Sequence, residues 1–492
     1  MRLDELRTLC PTLSGPTPTG HGATEITGLT ADSRVVRPGF LFAALPGALA
    51  DGTRYIADAV AAGAAAVLVP TGTPWPASVP ARPLLQSRDA RRALALMAAA
   101  FYGAQPVRTV AITGTNGKTS TAEFHRQLMA ADGRRAASLG TLGLTAPGFP
   151  PGPSLTTPDP VALHVTLAAL HRAGVDDLAM EASSHGLDQR RLDGVKLAGA
   201  AFTNLTRDHL DYHGGMAEYR AAKLRLFGVL LPPGAPAVVH AEMEPETLAA
   251  LRAIITARGL RGIETGEGAR DIRLLTQKAL PSGQAITVDA FGTRAELQLA
   301  VPGRFQADNA LVAIGLAIGL GLPPARALAL LPRLTGVRGR MELAATLPNG
   351  AAVYVDYAHT PDALARLLAA LRPHVPRGAR LHVLFGAGGD RDAGKRPLMG
   401  AAALAADMVW VTDDNPRSED PAAIRAAILA AAPGARDAGE REAAIANALT
   451  ALGPGDVLAV AGKGHESGQT IAGVNTPFDD AEVVRRLTGA PA

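Results

Sequence analysis

Residues 107–122 read VRTVAITGTNGKTSTA: a β-branched run, a turn flanked by Gly114 and Gly117, then Lys118, Thr119 and Ser120 opening a helical segment. A strand that enters such a turn and leaves as a helix is how a backbone cradles phosphate. Loop N–H groups and a helix N-terminus point at the anion, a lysine adds positive charge, and a hydroxyl holds Mg2+. Gly114, Thr115, Asn116, Gly117, Lys118, Thr119 and Ser120 therefore form the candidate ATP loop. Two residues separate its glycines where the common GxxxxGK[ST] pattern has four, so the loop is a shortened variant. By itself, GxxGK also describes a glycine-rich turn before any helix, with an incidental lysine.

Strands and helices alternate onward from this loop, the pattern of a parallel sheet with crossover helices. Strand-like runs end at Thr113, near Glu181 in DDLAMEASSHGL and near Asn204 in GAAFTNLTRDHLDYH. Polar residues follow each carboxyl end, where open α/β sheets bind ligands. Upstream, a Pro- and Gly-rich segment at 70–83 and an amphipathic helix over 88–102 place a boundary near residue 105. Downstream of a second boundary near 334–339, AAVYVDYAHT, ARLHVLFGAGGDRD, DMVWVTDDNPR and DVLAVAGKGHE each run an apolar strand into a polar loop. The expected fold is α/β in three domains: a smaller N-terminal α/β domain (1–105), a central P-loop ATPase-like parallel sheet (106–336) and a C-terminal Rossmann-like α/β domain (337–492).

Composition agrees with that count, since 492 residues at about 150 per domain give roughly three. The net charge of +3 is a small difference between 48 basic and 45 acidic groups, so neither a nucleic-acid nor a membrane partner is expected. Cys10 is the sole cysteine, which excludes a disulfide framework and a cysteine zinc site and suits a reducing cytosol. The start MRLDELRTL has acids where a signal peptide is basic and then apolar, and the longest apolar stretch, 310–322, is too short to span a bilayer. A cytoplasmic protein is expected, with monomer as the default state.

Around the loop, Glu181 and His209 follow strand ends. Alone, each is more often a surface or capping residue; beside a phosphate loop they become candidate Mg2+ ligands, because a metal bridging phosphate oxygens needs donors nearby. Lys223, ahead of Leu-x-Leu-Phe on a helix, reads locally as a solvated charge.

These residues sit in a longer series. GTNGKTS (114–120), EASSHGL (181–187), TNLTRDHLDYH (203–213), YRAAKLRLF (219–227), VPGRFQADNALVA (301–313), RGRME (338–342) and VDYAHTPD (355–362) resemble, in order and spacing, the Mur ligase family. DNPR (414–417) and GKGHE (462–466) resemble the branch that adds the third peptide residue. The resemblance implies peptidoglycan precursor synthesis, and with it a part in cell shape and division. ATP would phosphorylate the D-glutamyl carboxylate of UDP-N-acetylmuramoyl-L-alanyl-D-glutamate, and the amine of meso-diaminopimelate would displace the phosphate. Lys118, Lys223 and His209 would be catalytic. Thr119, Glu181, His209 and Lys223, the last as a CO2-derived carbamate, would hold Mg2+. Asn309 would face adenine, Arg340 the phosphates and Asp356 the ribose; the ordinary readings are a helix-start amide, a solvated arginine and a strand-end cap. Ala31, Ser33 and the loop Ala48, Leu49 and Ala50 would surround uridine. Thr156, Thr157, Ser183, Gln189 and Arg191 would meet the muramoyl peptide, with Leu155 standing where relatives often have Asn.

The amino-acid pocket would be Arg391, Asp414, Asn415, Pro416, Arg417, Gly462 and Glu466. Arg417 and Arg391 can bind carboxylates and Glu466 a distal ammonium, a donor set suited to diaminopimelate, whereas lysine and ornithine lack the far carboxylate. Relatives that take lysine or ornithine keep part of this motif, so those substrates stay open. A folylpolyglutamate synthase-like ligase is disfavoured by the N-terminal domain and GKGHE. A non-catalytic nucleotide-binding scaffold is disfavoured by the retention of Lys118, Glu181, His209 and Lys223.

Overall fold

The computed structural model describes residues 1–10, 13–14, 23–47, 51–150, 155–280 and 283–490. The chain divides into two compact units. One comprises Met1–Lys118, Asp132–Val239 and Met243–Ile263; the other comprises Thr119–Ala131, His240–Glu242 and Glu264–Ala492.

The first unit holds two sheets. In the N-terminal sheet, strands Gly28–Thr30, Phe40–Ala43, Ala66–Pro70 and Leu84–Ser87 lie parallel in chain order, and Leu13–Ser14 adds antiparallel to the last. Helix Ala90–Tyr102, capped by the Asp89 carboxylate, buries Leu94 and Met97 with Leu41 and Leu68. In the second sheet, Ala136–Gly140, Asp177–Glu181, Arg108–Thr113, Leu197–Phe202 and Pro236–His240 lie side by side in that order, all parallel. Arg108–Thr113 is buried along nearly its whole length, as a parallel strand covered on both faces must be. The core here gathers Leu163, Leu167, Met180, Phe202 and Phe227.

Polar ties join the two sheets' layers. Arg190 donates to Asp89 (3.0 Å), Arg92 pairs with Asp193 (3.2 Å), and the Gln105 amide bonds both the Gly194 carbonyl and the Lys196 N–H (3.0 Å each).

The second unit departs from the expected strand–helix alternation: Ile272–Leu280, Gly283–Ala290 and Thr293–Leu299 form an antiparallel meander. Its last strand alternates exposed and half-buried positions, the signature of a sheet with one solvated face. Helix Arg304–Gly319 follows, buried on nearly every side.

The C-terminal sheet has the order Glu342–Thr346, Ala352–Asp356, Val457–Ala461, Leu381–Phe385, Met408–Thr412, Arg436–Gly439, parallel except for the first pair. Leu364, Leu367, Met399, Ile424 and Ile428 from three helices pack one face; Ala444, Ile445, Val483 and Val484 from two others pack the opposite face. This is doubly wound architecture, so the loops after residues 356, 385, 412 and 461 share the carboxyl edge where such sheets bind ligands.

Candidate active site

The phosphate loop takes the conformation its glycines permit. Gly114 has φ +147° and Gly117 has φ +83°, and a Cβ on Gly114 would lie 2.0 Å from Thr203 Oγ1. The next strand's loop clasps it: Thr203 Oγ1 donates to Asn116 O (2.6 Å), Asn116 N–H to Asn204 Oδ1 (2.9 Å), and Thr206 N–H to Thr115 Oγ1 (2.9 Å). Lys118 folds back, its Nζ donating to the carbonyls of Gly114 (3.0 Å) and Thr115 (2.8 Å). Helix Lys118–Ala131 begins at this lysine, with Thr119 and Ser120 in its first turn.

Lys223 is not solvated. Its side chain is buried, Nζ donates to the same Gly114 carbonyl at 2.7 Å, and it sits 4.5 Å from the centre of the Tyr219 ring. Burial, and then the neighbouring Lys118 charge, hold its pKa well below the ordinary lysine value. Helix Met216–Arg225 carries it inward because Tyr219 and Ala222 share the buried face. Tyr219 in turn shares a hydrogen bond with Thr115 (3.1 Å), fixing the helix to the phosphate loop.

A second network grows from the end of strand Asp177–Glu181. The buried Glu181 carboxylate accepts the Thr141 N–H (2.8 Å) and hydroxyl (3.2 Å), and Thr141 Oγ1 meets Thr156 Oγ1 (3.0 Å). Thr157 donates to Glu181 O (3.0 Å) and accepts the Ser183 N–H and hydroxyl (3.1 Å each). Arg191 donates to Thr157 O (2.6 Å) and to Gln189 Oε1 (2.8 Å). Thr156, Thr157, Ser183, Gln189 and Arg191 are thus gathered around Glu181. Thr141 joins them without any signal in the sequence beyond its place after a strand. Ala31 and Ser33 lie just beyond strand Gly28–Thr30, Ser33 opening the short turn Ser33–Val35 capped by Asp32. Ala48, Leu49 and Ala50 lie outside the described residues, and Leu155 is exposed.

His209 takes a left-handed backbone (φ 51°), is exposed, and has Nε2 3.4 Å from Asp208. Its ring meets His185 edge-on with centroids 5.0 Å apart; His185 lies 4.0 Å from the ring of Tyr212, whose hydroxyl accepts from Gln189 (3.2 Å). His185 and Tyr212, not singled out from sequence, therefore link His209 to the Thr157 network. Mg2+ takes oxygen donors. The Glu181 carboxylate and the Thr119 hydroxyl are of that kind, and a carbamate on Lys223 would be another, so the donor chemistry fits; the imidazole of His209 is the odd member. Among the described residues, three His, Asp or Glu side chains whose ligand atoms lie within 4.8 Å of one another are found elsewhere, at His240, Glu242 and Asp308. Arg304 already pairs there with Asp308 (3.1 Å) and Glu267.

In the second unit, Asn309, Arg340 and Asp356 converge. Asn309 is not at a helix start but inside helix Arg304–Gly319, donating to Gln306 Oε1 (3.1 Å), and Gln306 donates to Arg340 O (3.1 Å). The Arg340 guanidinium stacks 4.7 Å over Tyr357. Asp356 accepts the N–H groups of Met341 and Ala358 (2.8 Å each), a strand-end cap that locks the RGRME loop to the sheet. Burial raises its pKa, partly offset by Arg340. Beside Tyr357, burial and the Arg340 charge bring His465 down to about 4, so its imidazole is neutral near pH 7.

The DNPR and GKGHE loops meet as one surface. Asn415 Nδ2 donates to Glu466 Oε2 (3.0 Å), and the fully buried Lys463 donates to Asn415 Oδ1 (3.2 Å) and Gly468 O (2.6 Å) while pairing with Glu466 (3.4 Å). Lys463 carries no signal of its own in the motif; its charge already engages the carboxylate expected to meet an incoming ammonium. Arg417, at φ 53°, donates to Gly389 O (2.6 Å). Asp414 is buried beside Gly462, Pro416 precedes the Arg417 turn, and Arg391 is exposed on the 386–394 loop.

Family models match three successive segments: "Mur ligase family, catalytic domain" at 25–102, "Mur ligase middle domain" at 112–317 and "Mur ligase, glutamate ligase domain" at 339–464. The chain belongs to the Mur ligase family. A Mur ligase of Caulobacter vibrioides, named UDP-N-acetylmuramoyl-L-alanyl-D-glutamate–2,6-diaminopimelate ligase, is 54% identical over 95% of this chain and 96% of that one. A solved structure of a ligase of that name matches with TM-score 0.73 and 30% identity, over 100% of this chain and 99% of the other. Mycobacterium tuberculosis folylpolyglutamate synthase shares the Mur ligase fold over 81% of this chain and 95% of its own, with TM-score 0.62 and 20% identity. Among the described residues no helix is long and apolar enough to cross a membrane.

Proposed function

We propose that this Mur ligase joins meso-diaminopimelate to UDP-N-acetylmuramoyl-L-alanyl-D-glutamate at the expense of ATP, in the cytoplasm, during peptidoglycan precursor synthesis. The observation that carries the choice of amino acid is the surface of the DNPR and GKGHE loops, where Arg417, Asn415 and the Lys463–Glu466 pair offer partners to both carboxylates and to an ammonium. The 54% identity to a diaminopimelate ligase supports it.

A carboxylate oxygen of the D-glutamyl group attacks the γ-phosphorus of ATP and ADP departs, leaving an acyl phosphate. The free amine then attacks the acyl carbon, loses a proton, and the amide forms as phosphate leaves. The chain's work is positioning and charge stabilisation. Loop N–H groups and Lys118 would hold the transferring phosphoryl group. Asn309, Arg340 and Asp356 would hold the nucleoside side. Thr156, Thr157, Ser183, Gln189 and Arg191 would orient the muramoyl peptide, with Ala31, Ser33 and the 48–50 loop at the uridine. Thr119, Glu181, His209 and Lys223, the last as a carbamate, would hold Mg2+, which would supply positive charge against the phosphate oxygens. Burial and the neighbouring Lys118 charge lower the pKa of Lys223, which favours the neutral amine that would add to CO2, releasing a proton and gaining an anionic carboxylate. Residues 1–105, 106–336 and 337–492 would serve the UDP-sugar, ATP and amino acid respectively, a division supported by the three matched segments.

The test is phosphate release from ATP with the UDP-dipeptide and, in turn, meso-diaminopimelate, lysine and ornithine. Diaminopimelate is expected to give kcat/KM at least 100-fold above the others. Preference for lysine or ornithine would overturn the amino-acid assignment, and silence with all three would overturn the reaction.

A further inference from the structure

The largest fully buried side chain in the described structure is Arg441. It opens helix Arg441–Thr450, and its guanidinium forms a fork with the equally buried Asp480, Nε to Oδ1 and Nη2 to Oδ2, both at 2.7 Å. A buried ion pair is a costly way to fill a core, since apolar side chains of similar volume usually hold a fold as well or better. Two further donors go to two particular carbonyls. Nη2 donates to Ala461 O (2.9 Å), the last residue of strand Val457–Ala461 and the root of GKGHE. Nη1 reaches Asp413 O (3.3 Å), just past strand Met408–Thr412 at the root of DNPR. The loops touch directly above: a Cβ on Gly462 (φ +115°) would lie 2.6 Å from Asp414 Oδ2 and 4.0 Å from Arg441 Nη2. One rigid cation therefore sets the spacing of the two loops whose tips carry Asn415 and Arg417 on one side and Lys463 and Glu466 on the other.

We propose that Arg441, anchored by Asp480, is a positioning residue for the amino-acid substrate: it touches no reactant but fixes the register between DNPR and GKGHE, and so sets the affinity for the incoming diamino acid. This rests on the assignment of those loops to the amino acid. Lysine cannot replace it, because an ammonium lacks the planar fork that reaches Asp480 and both carbonyls at once.

The experiment compares full-length wild type with Arg441→Lys and with the paired apolar replacement Arg441→Met/Asp480→Leu, recording Tm and separate KM values for diaminopimelate, ATP and the UDP-dipeptide, with Arg417→Ala alongside. A KM for diaminopimelate raised about tenfold or more in both variants is expected, with the other two KM values within about twofold and, in the paired variant, Tm at or above wild type. A purely structural pair would move Tm and leave the three KM values in proportion. An unchanged diaminopimelate KM in Arg441→Lys, with a raised one in Arg417→Ala, overturns the positioning role alone. Unchanged values in both overturn it together with the loop assignment.

Discussion

A single backbone carbonyl, that of Gly114, accepts from two lysines, Lys118 at 3.0 Å and Lys223 at 2.7 Å. Burial, and then the second ammonium on the same oxygen, disfavour a charge on the inner lysine and hold the pKa of Lys223 well below the ordinary lysine value. Lys223→Ala is expected to lower kcat by about 100-fold or more, the scale of losing one preorganised charge, with recovery in added bicarbonate absent and recovery by short carboxylic acids present; full activity in the variant would remove the lysine from the chemistry. Gly114→Ala should abolish ATP turnover while leaving most of the fold, since its Cβ would fall 2.0 Å from Thr203 Oγ1; isothermal titration with an ATP analogue measures the loss. Motif residues such as Lys118, Glu181, Asn415 and Arg417 were legible because they follow strand ends. The burial of Lys223 was not: a lysine on a helix with Glu218, Arg220 and Arg225 exposed or half-exposed reads as surface, and only the long-range approach of Gly114 reverses that. Arg441 escaped for the same reason, its partners Asp480, Ala461 and Asp413 lying tens of residues away, and of the partners of Lys463 only Asn415 is distant in sequence.

At the level of elements, the parallel strands could be anticipated from continuous apolar runs that end in polar loops. The meander from 272 to 299 was not anticipated because it delivers none of the motif residues, although its last strand alternates Ala295, Leu297 and Leu299 with Arg294, Glu296 and Gln298. Helix Pro160–Arg172 hides a different feature. His164 is buried on it, its Nε2 has no hydrogen-bond partner, and burial brings its pKa down to about 4 from 6.5. The unfolded chain takes up this proton near pH 6.5 and the folded one only near 4. Stability is therefore complete above 6.5 and is lost as the pH falls toward 4, by about 3 kcal/mol for this group. His164→Leu should flatten that part of a Tm-against-pH curve; an identical slope in the variant would assign the acid lability to other groups.

For the molecule as a whole, composition indicated roughly three domains, and the family's three-domain fold is present, but a boundary near 105 does not mark a weak seam. Asp89, Arg92 and Gln105 on one side meet Arg190, Asp193, Gly194 and Lys196 on the other. A chain starting at residue 106 should consequently lose these ties and expose the apolar face of helix Pro160–Arg172, with Tm lowered by 10 °C or more at an expected scale of about 4–8 °C per kcal/mol for a small domain and less for a larger one; a fully stable truncated chain would contradict this. The shared Gly114 carbonyl also bears on how such a sequence can change over generations. Losing Lys118 would remove a positive charge from beside Lys223, while burial, the larger cause of its depressed pKa, would remain. A substitution at either lysine therefore changes the charge felt by the other, 105 positions away in sequence, through one shared oxygen.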